Sequence, residues 1–134
     1  MERLYGWYVE MSNDNKEGYT EKKFKNLNEN DQIAYGVMNF IYQVNNGGFR
    51  QLFDNGYGFL IDFIKDIGRE FDILRLQYYV TKAEGYHQRY INGGLREVDY
   101  DILLDDLDEG IYNQELLEKL ETKISSYLEK QEYK

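Results

Sequence analysis

Residues Val44–Gly56 read VNNGGFRQLFDNG. An apolar helical pattern runs into this stretch and another runs out of it. Two glycines in such a place either cradle a ligand or turn the chain. A phosphate-binding P-loop would follow a strand and carry a lysine before serine or threonine. This stretch follows a helical pattern and has neither. A structural corner accounts for each residue instead. Asn45 or Asn46 ends the first helix, and Gly47 offers the left-handed conformation that a helix stop favours. Gly48 permits close approach, and Phe49 drops into the core to start the next helix. Asn46 or Gln51 can satisfy backbone groups freed at the turn. Asn46, Gly47, Gly48, Phe49 and Gln51 are therefore read together as one structural motif.

Upstream, Asn30 is a candidate cap, with Asp31 in the first turn where the helix dipole favours a negative charge. Ile33, Val37, Phe40, Ile41 and Val44 then form one apolar stripe of an amphipathic helix. Downstream, Phe49, Leu52 and Phe53 share a face until DNGYG breaks the pattern. Leu60, Phe63, Ile64 and Ile67 predict a third helix, ended by Gly68. A fourth starts near Arg69, faces Phe71, Leu74, Tyr78 and Thr81 inward, and runs to about Tyr90, where INGG stops it. A short acidic helix is expected over Tyr100–Leu107. The last helix takes Asn113 as cap and buries Leu117, Leu120, Ile124 and Tyr127 or Leu128. Before residue 29 the aromatic residues show no clean period, so helix and strand both fit there; Thr20 can cap a short helix to Leu27. The expected fold is all-α, one compact domain of six to seven mostly short helices at residues 29–134, with 1–28 as an N-terminal extension. NGGFRQL (46–52) is echoed by NGGLREV (92–98), but the flanks differ. One local solution used twice explains this better than a duplicated unit.

Composition narrows the chemistry. The 134 residues suffice for a single core. Cysteine is absent, which removes disulfides, thiolate catalysis and zinc–sulfur sites. The N-terminus lacks the pattern of a signal peptide, and no apolar run is long enough to span a membrane. A cytoplasmic location is the expectation. His87 is the only histidine, so multi-histidine metal motifs are out. Neither Ser12, Ser125 nor Ser126 stands in a nucleophile-elbow context that would recruit it. No catalytic residue, cofactor or metal is assigned, and the protein is read as a non-enzyme. The fourteen tyrosines suit packing and interfaces rather than a reaction; so many aromatics make a homodimer plausible.

Charge carries the functional signal. The net charge is −9, which disfavours nucleic acid and anionic membrane as partners. Residues 99–118, DYDILLDDLDEGIYNQELLE, hold eight acids and no base. These are Asp99, Asp101, Asp105, Asp106, Asp108, Glu109, Glu115 and Glu118, the candidate partner-binding surface. On a helix that turns Leu103, Leu104 and Leu107 inward, Asp101, Asp105 and Asp108 form a row at i, i+4 and i+7. Duplex DNA offers one negative charge per roughly 1.7 Å of axis, and such a row is raw material for imitating it. The plain alternative is a solvated face that keeps the protein soluble. An EF-hand register on Gly110 places Leu107 and Leu116 at ligand positions and fails.

NFIYQVNNGGFRQLFDNGYG, IKDIG and LLDDLDEGIYN together resemble a bacterial family of unknown function named after a DNA-mimic protein. The resemblance covers about residues 27–131. Its most specific element is Asn46-Gly47-Gly48-Phe49 with Gln51, supported by Ile67-Gly68 and Leu107-Asp108. Two positions depart from the family pattern: Gln43 where a glutamate is common, and Leu52-Phe53 where two aromatics are usual. The resemblance implies a mostly helical fold. It also implies an acidic protein that occupies a basic, DNA-binding protein without itself binding nucleic acid. Two alternatives remain: an immunity-type inhibitor of a basic toxin, and a small-molecule or catalytic domain. The latter would use a groove lined by Gln43, Asn45, Asn46, Arg50 and Gln51.

Overall fold

The fold is organised around one helix that is buried on every side. In the computed structural model, which describes residues 2–14 and 18–131, the unbroken run 33–41 is buried. Seven helices and no strand occur among the described residues: α1 (Glu2–Asp14), α2 (Glu21–Lys25), α3 (Glu29–Asp54), α4 (Leu60–Glu70), α5 (Leu74–Ile91), α6 (Glu97–Asn113) and α7 (Leu116–Lys130). Helices α1, α2, α4, α6 and α7 all pack on α3, while α5 packs on α4 and α6. The expected stripe of Ile33, Val37, Phe40, Ile41 and Val44 is buried as read. So are Ala34, Tyr35, Gly36, Met38 and Asn39 on the other sides. A helix covered all round is a central helix, not an amphipathic surface one.

Each wrapping helix contributes an apolar face to that centre. Thr20 caps α2 through a bond from the Lys23 N–H (3.2 Å), as expected. Phe24 follows into the core, edge-on to Phe63 at 5.2 Å between ring centres. The cap of α3 is Asn28 rather than Asn30, because its Oδ1 accepts from the Asp31 N–H at 2.8 Å. The residues before that cap join the same core. Leu4 is buried, and the Tyr8 hydroxyl donates to Asn39 Oδ1 (3.2 Å).

Helix α4 runs past Gly68 to Glu70. The break comes at Asp72, a non-glycine residue at φ 59°, and the Ile73 N–H turns back to the Gly68 carbonyl at 2.7 Å. Helix α5 therefore starts at Leu74, later than expected. Leu76, Tyr79, Val80 and Ala83 are the buried residues, and Leu74, Tyr78 and Thr81 are exposed. The acidic helix is also longer than expected, and Asn113 is its last residue rather than the cap of α7. Glu115 makes that second junction at φ 53°. The inward residues of α7 (Leu117, Leu120, Ile124, Leu128) are buried as read. No helix among the described residues is long and apolar enough to cross a membrane.

Candidate functional site

The corner is a kink inside α3. Gly48 alone leaves helical geometry, at φ 73° and ψ −171°. That region is open essentially only to glycine. Gly47, expected to be the left-handed residue, stays at negative φ. It is needed for space instead, since a Cβ there would run into the Gln51 side chain. The kink frees the Phe49 N–H from the helical ladder. Asp108 of α6 accepts it at 2.9 Å through Oδ1. Its carboxylate sits where a Cβ on Gly48 would point. Phe49 itself is fully buried, edge-on to Phe40 at 6.2 Å. The motif is thus a docking point between α3 and α6.

The polar side chains of the corner are spent on one another. Asn46 Nδ2 donates to Gln51 Oε1, and Gln51 Nε2 and Asn55 Nδ2 both donate to Gln43 Oε1, each at 2.9 Å. Gln43 Nε2 donates in turn to the buried Asn39 Oδ1 at 3.2 Å. An open cavity of about 440 Å³ lies nearby, lined by residues of the α2 and α3–α4 turns including Thr20, Asn55 and Tyr57. Gln43, Asn46, Arg50 and Gln51 do not line it. No cluster of metal-ligating side chains occurs among the described residues.

Arg50 is the residue that the sequence reading underrated. Two residues past the kink, it bonds Asp54 (3.1 Å) on its own helix, and Glu97 (2.9 Å) and Asp101 (2.5 Å) on α6. Its guanidinium also lies over the Tyr100 and Tyr90 rings, at 5.2 and 5.6 Å from their centres. Those rings stack on each other at 4.2 Å. Hydrogen bonding to Glu97 raises the Arg50 pKa above its ordinary value, and the same bond lowers that of Glu97. Beside them His87 stacks on Phe53 at 4.0 Å and places Nδ1 2.8 Å from the Tyr100 hydroxyl. Burial lowers the His87 pKa below its ordinary value, which favours the neutral ring. This histidine is packed and hydrogen-bonded. In the echoed motif, Arg96 likewise bonds Asp99 at 2.9 Å. Both Asn-Gly-Gly arginines therefore end on acids of α6.

These contacts divide the eight candidate acids. Asp108 is turned into the corner, Asp101 is held by Arg50, and Asp99 by Arg96. Glu115 and Glu118 are exposed beside Lys119 and Lys123 around a shallow depression. Asp105, Asp106 and Glu109 remain exposed, with no ion pair among the described residues. The expected row of Asp101, Asp105 and Asp108 is split for a geometric reason. At 3.6 residues per turn Asp105 stands opposite the buried Tyr100–Leu104–Leu107–Ile111 face, while Asp101 and Asp108 lie to the side that meets α3.

Burial pushes the Asp108 carboxyl up to about 6, with the Phe49 N–H opposing and Asp105 adding to the rise. The folded value exceeds the unfolded one. This group's contribution to stability is therefore fully present below the ordinary value of 3.8 and is lost as pH rises through about 6. Asp108→Asn keeps a carbonyl oxygen for the Phe49 N–H and removes the charge. It is expected to be at least as stable as the parent at about pH 8, with its advantage shrinking by about pH 5. Urea unfolding at both pH values checks this, and a pH-independent gap would count against it.

The fold and site define a class: a small all-α protein whose one outward acidic helix is locked to a kinked central helix. The family described as DMP19-like protein matches residues 25–132, and the chain belongs to it. No curated protein and no solved structure matches the chain.

Proposed function

We propose that this protein is a non-enzymatic interaction protein whose acidic surface engages a basic, DNA-binding protein. The observation that carries the reading is a set of acids on the outward side of α6: Asp105, Asp106 and Glu109 are exposed and have no ion pair among the described residues. Membership of the DMP19-like family is consistent with it. Anchored at one side by Arg50 and Asp108, α6 presents these carboxylates on a fixed scaffold, so little ordering remains to oppose binding. Long-range attraction of this kind speeds encounter and weakens as salt rises. A polar site at the corner is disfavoured because Gln43, Asn46 and Gln51 already satisfy one another.

Asp105→Asn/Asp106→Asn/Glu109→Gln is expected to weaken partner binding about tenfold at low salt, at roughly 0.2–1 kcal/mol per exposed charge. Affinity capture from native extract, with parent and variant as bait at low and high salt, reads this out. A basic DNA-binding protein held by the parent at low salt and released by the variant supports the reading. Equal retention by both, or no basic protein held, overturns it.

A further inference from the structure

The outward crest of α6 is not purely acidic. Val98, Ile102 and Tyr112 are 55, 55 and 75% exposed. With Asp105 and Glu109 they occupy positions i, i+4, i+7, i+11 and i+14, within about 80° of arc on the side away from the core. The stripe reads apolar, apolar, acid, acid, aromatic, and spans about 21 Å of helix. Solubility does not require three exposed apolar side chains in line, and a surface acting by charge alone has no use for them. Charges steer an encounter, whereas apolar and aromatic anchors fix its register.

We infer that this crest is a docking surface for a protein with an apolar face flanked by lysine or arginine side chains. The inference rests on the acidic-surface reading and adds the register-setting contacts. Charge complementarity selects the occupant. A second copy paired about a two-fold axis would set Asp105 and Glu109 against the same acids, with no cation on the crest to relieve them.

The test uses two labelled peptides of equal length and charge, one an amphipathic Leu/Lys helix and one a Gln/Lys peptide, titrated by fluorescence anisotropy. The parent is expected to bind the Leu/Lys peptide about tenfold more tightly, the equivalent of one well-buried apolar anchor. Ile102→Ser/Tyr112→Ser, at exposed positions that leave the core intact, is expected to bind both peptides equally. Asp105→Asn/Asp106→Asn/Glu109→Gln should weaken both. If the parent does not distinguish the peptides, or the serine variant still prefers Leu/Lys, the docking surface is refuted. Salt-sensitive binding of both peptides would then leave the acidic-surface reading standing, and its absence would remove that too. Sedimentation supplies the last arm: a parent dimer dissociated by the serine changes would assign the crest to a second copy and overturn the proposal.

Discussion

Gly48→Ala lowers the midpoint of thermal unfolding by about 10–20 °C. Two costs add. An alanine at φ 73°, ψ −171° occupies backbone space that only glycine reaches at low energy, costing of order 1–3 kcal/mol. Its Cβ would also overlap the Asp108 carboxylate, which overpacks the α3–α6 junction by about 1–3 kcal/mol more. Relief would require Asp108 to swing away, and that leaves the Phe49 N–H without its acceptor. The contrast is Gly85→Ala in α5, where nothing crowds the added methyl and φ is ordinary. There the change is expected to be neutral or stabilising by up to about 1 kcal/mol. Calorimetry on the two variants checks both signs. Equal effects from the two substitutions would show that the kink is not what constrains position 48.

Arg50→Ala is expected to cost about 1–3 kcal/mol, more at low salt than at high. The side chain satisfies three carboxylates and covers two stacked tyrosines. Its partners are about half exposed, so water and ions moderate the loss and the full value of three charge-assisted bonds is not recovered. Arg50→Lys should restore less than half, because an ammonium cannot fork to three acceptors while lying flat on a ring. The functional readout moves the opposite way. Removing the cation frees Asp54, Glu97 and Asp101, so a basic partner should bind more tightly at low salt even as the fold weakens. Urea titration at two salt concentrations, beside the capture assay, separates the effects. A variant as stable as the parent at both salts would exclude the proposed role.

Much of the core was legible because burial follows period. The apolar stripes of α3 and α7, and the Thr20 cap, are local patterns whose spacing decides the outcome. The face of α5 was not legible, because its start depends on Asp72 at φ 59°, a conformation that residue type does not announce. Asn28 and Asn30 were equally able to cap, and only the Asp31 N–H separates them. The acids were harder still. Asp101 and Asp105 look alike in the sequence. Their fates diverge because Arg50, fifty-one positions from Asp101, lies on one side of α6 only. No periodicity within residues 99–118 could reveal that a base outside the segment neutralises part of it.

The bond between the Phe49 amide and Asp108 spans fifty-nine positions. It bears on how the chain is made. The straight part of α3 has its hydrogen bonds within itself and needs no later part of the chain to close them. The bend cannot be finished before its acceptor has been synthesised. The central helix is therefore begun before α6 exists and completed only after it, and its closure marks the moment at which α6 has taken its place.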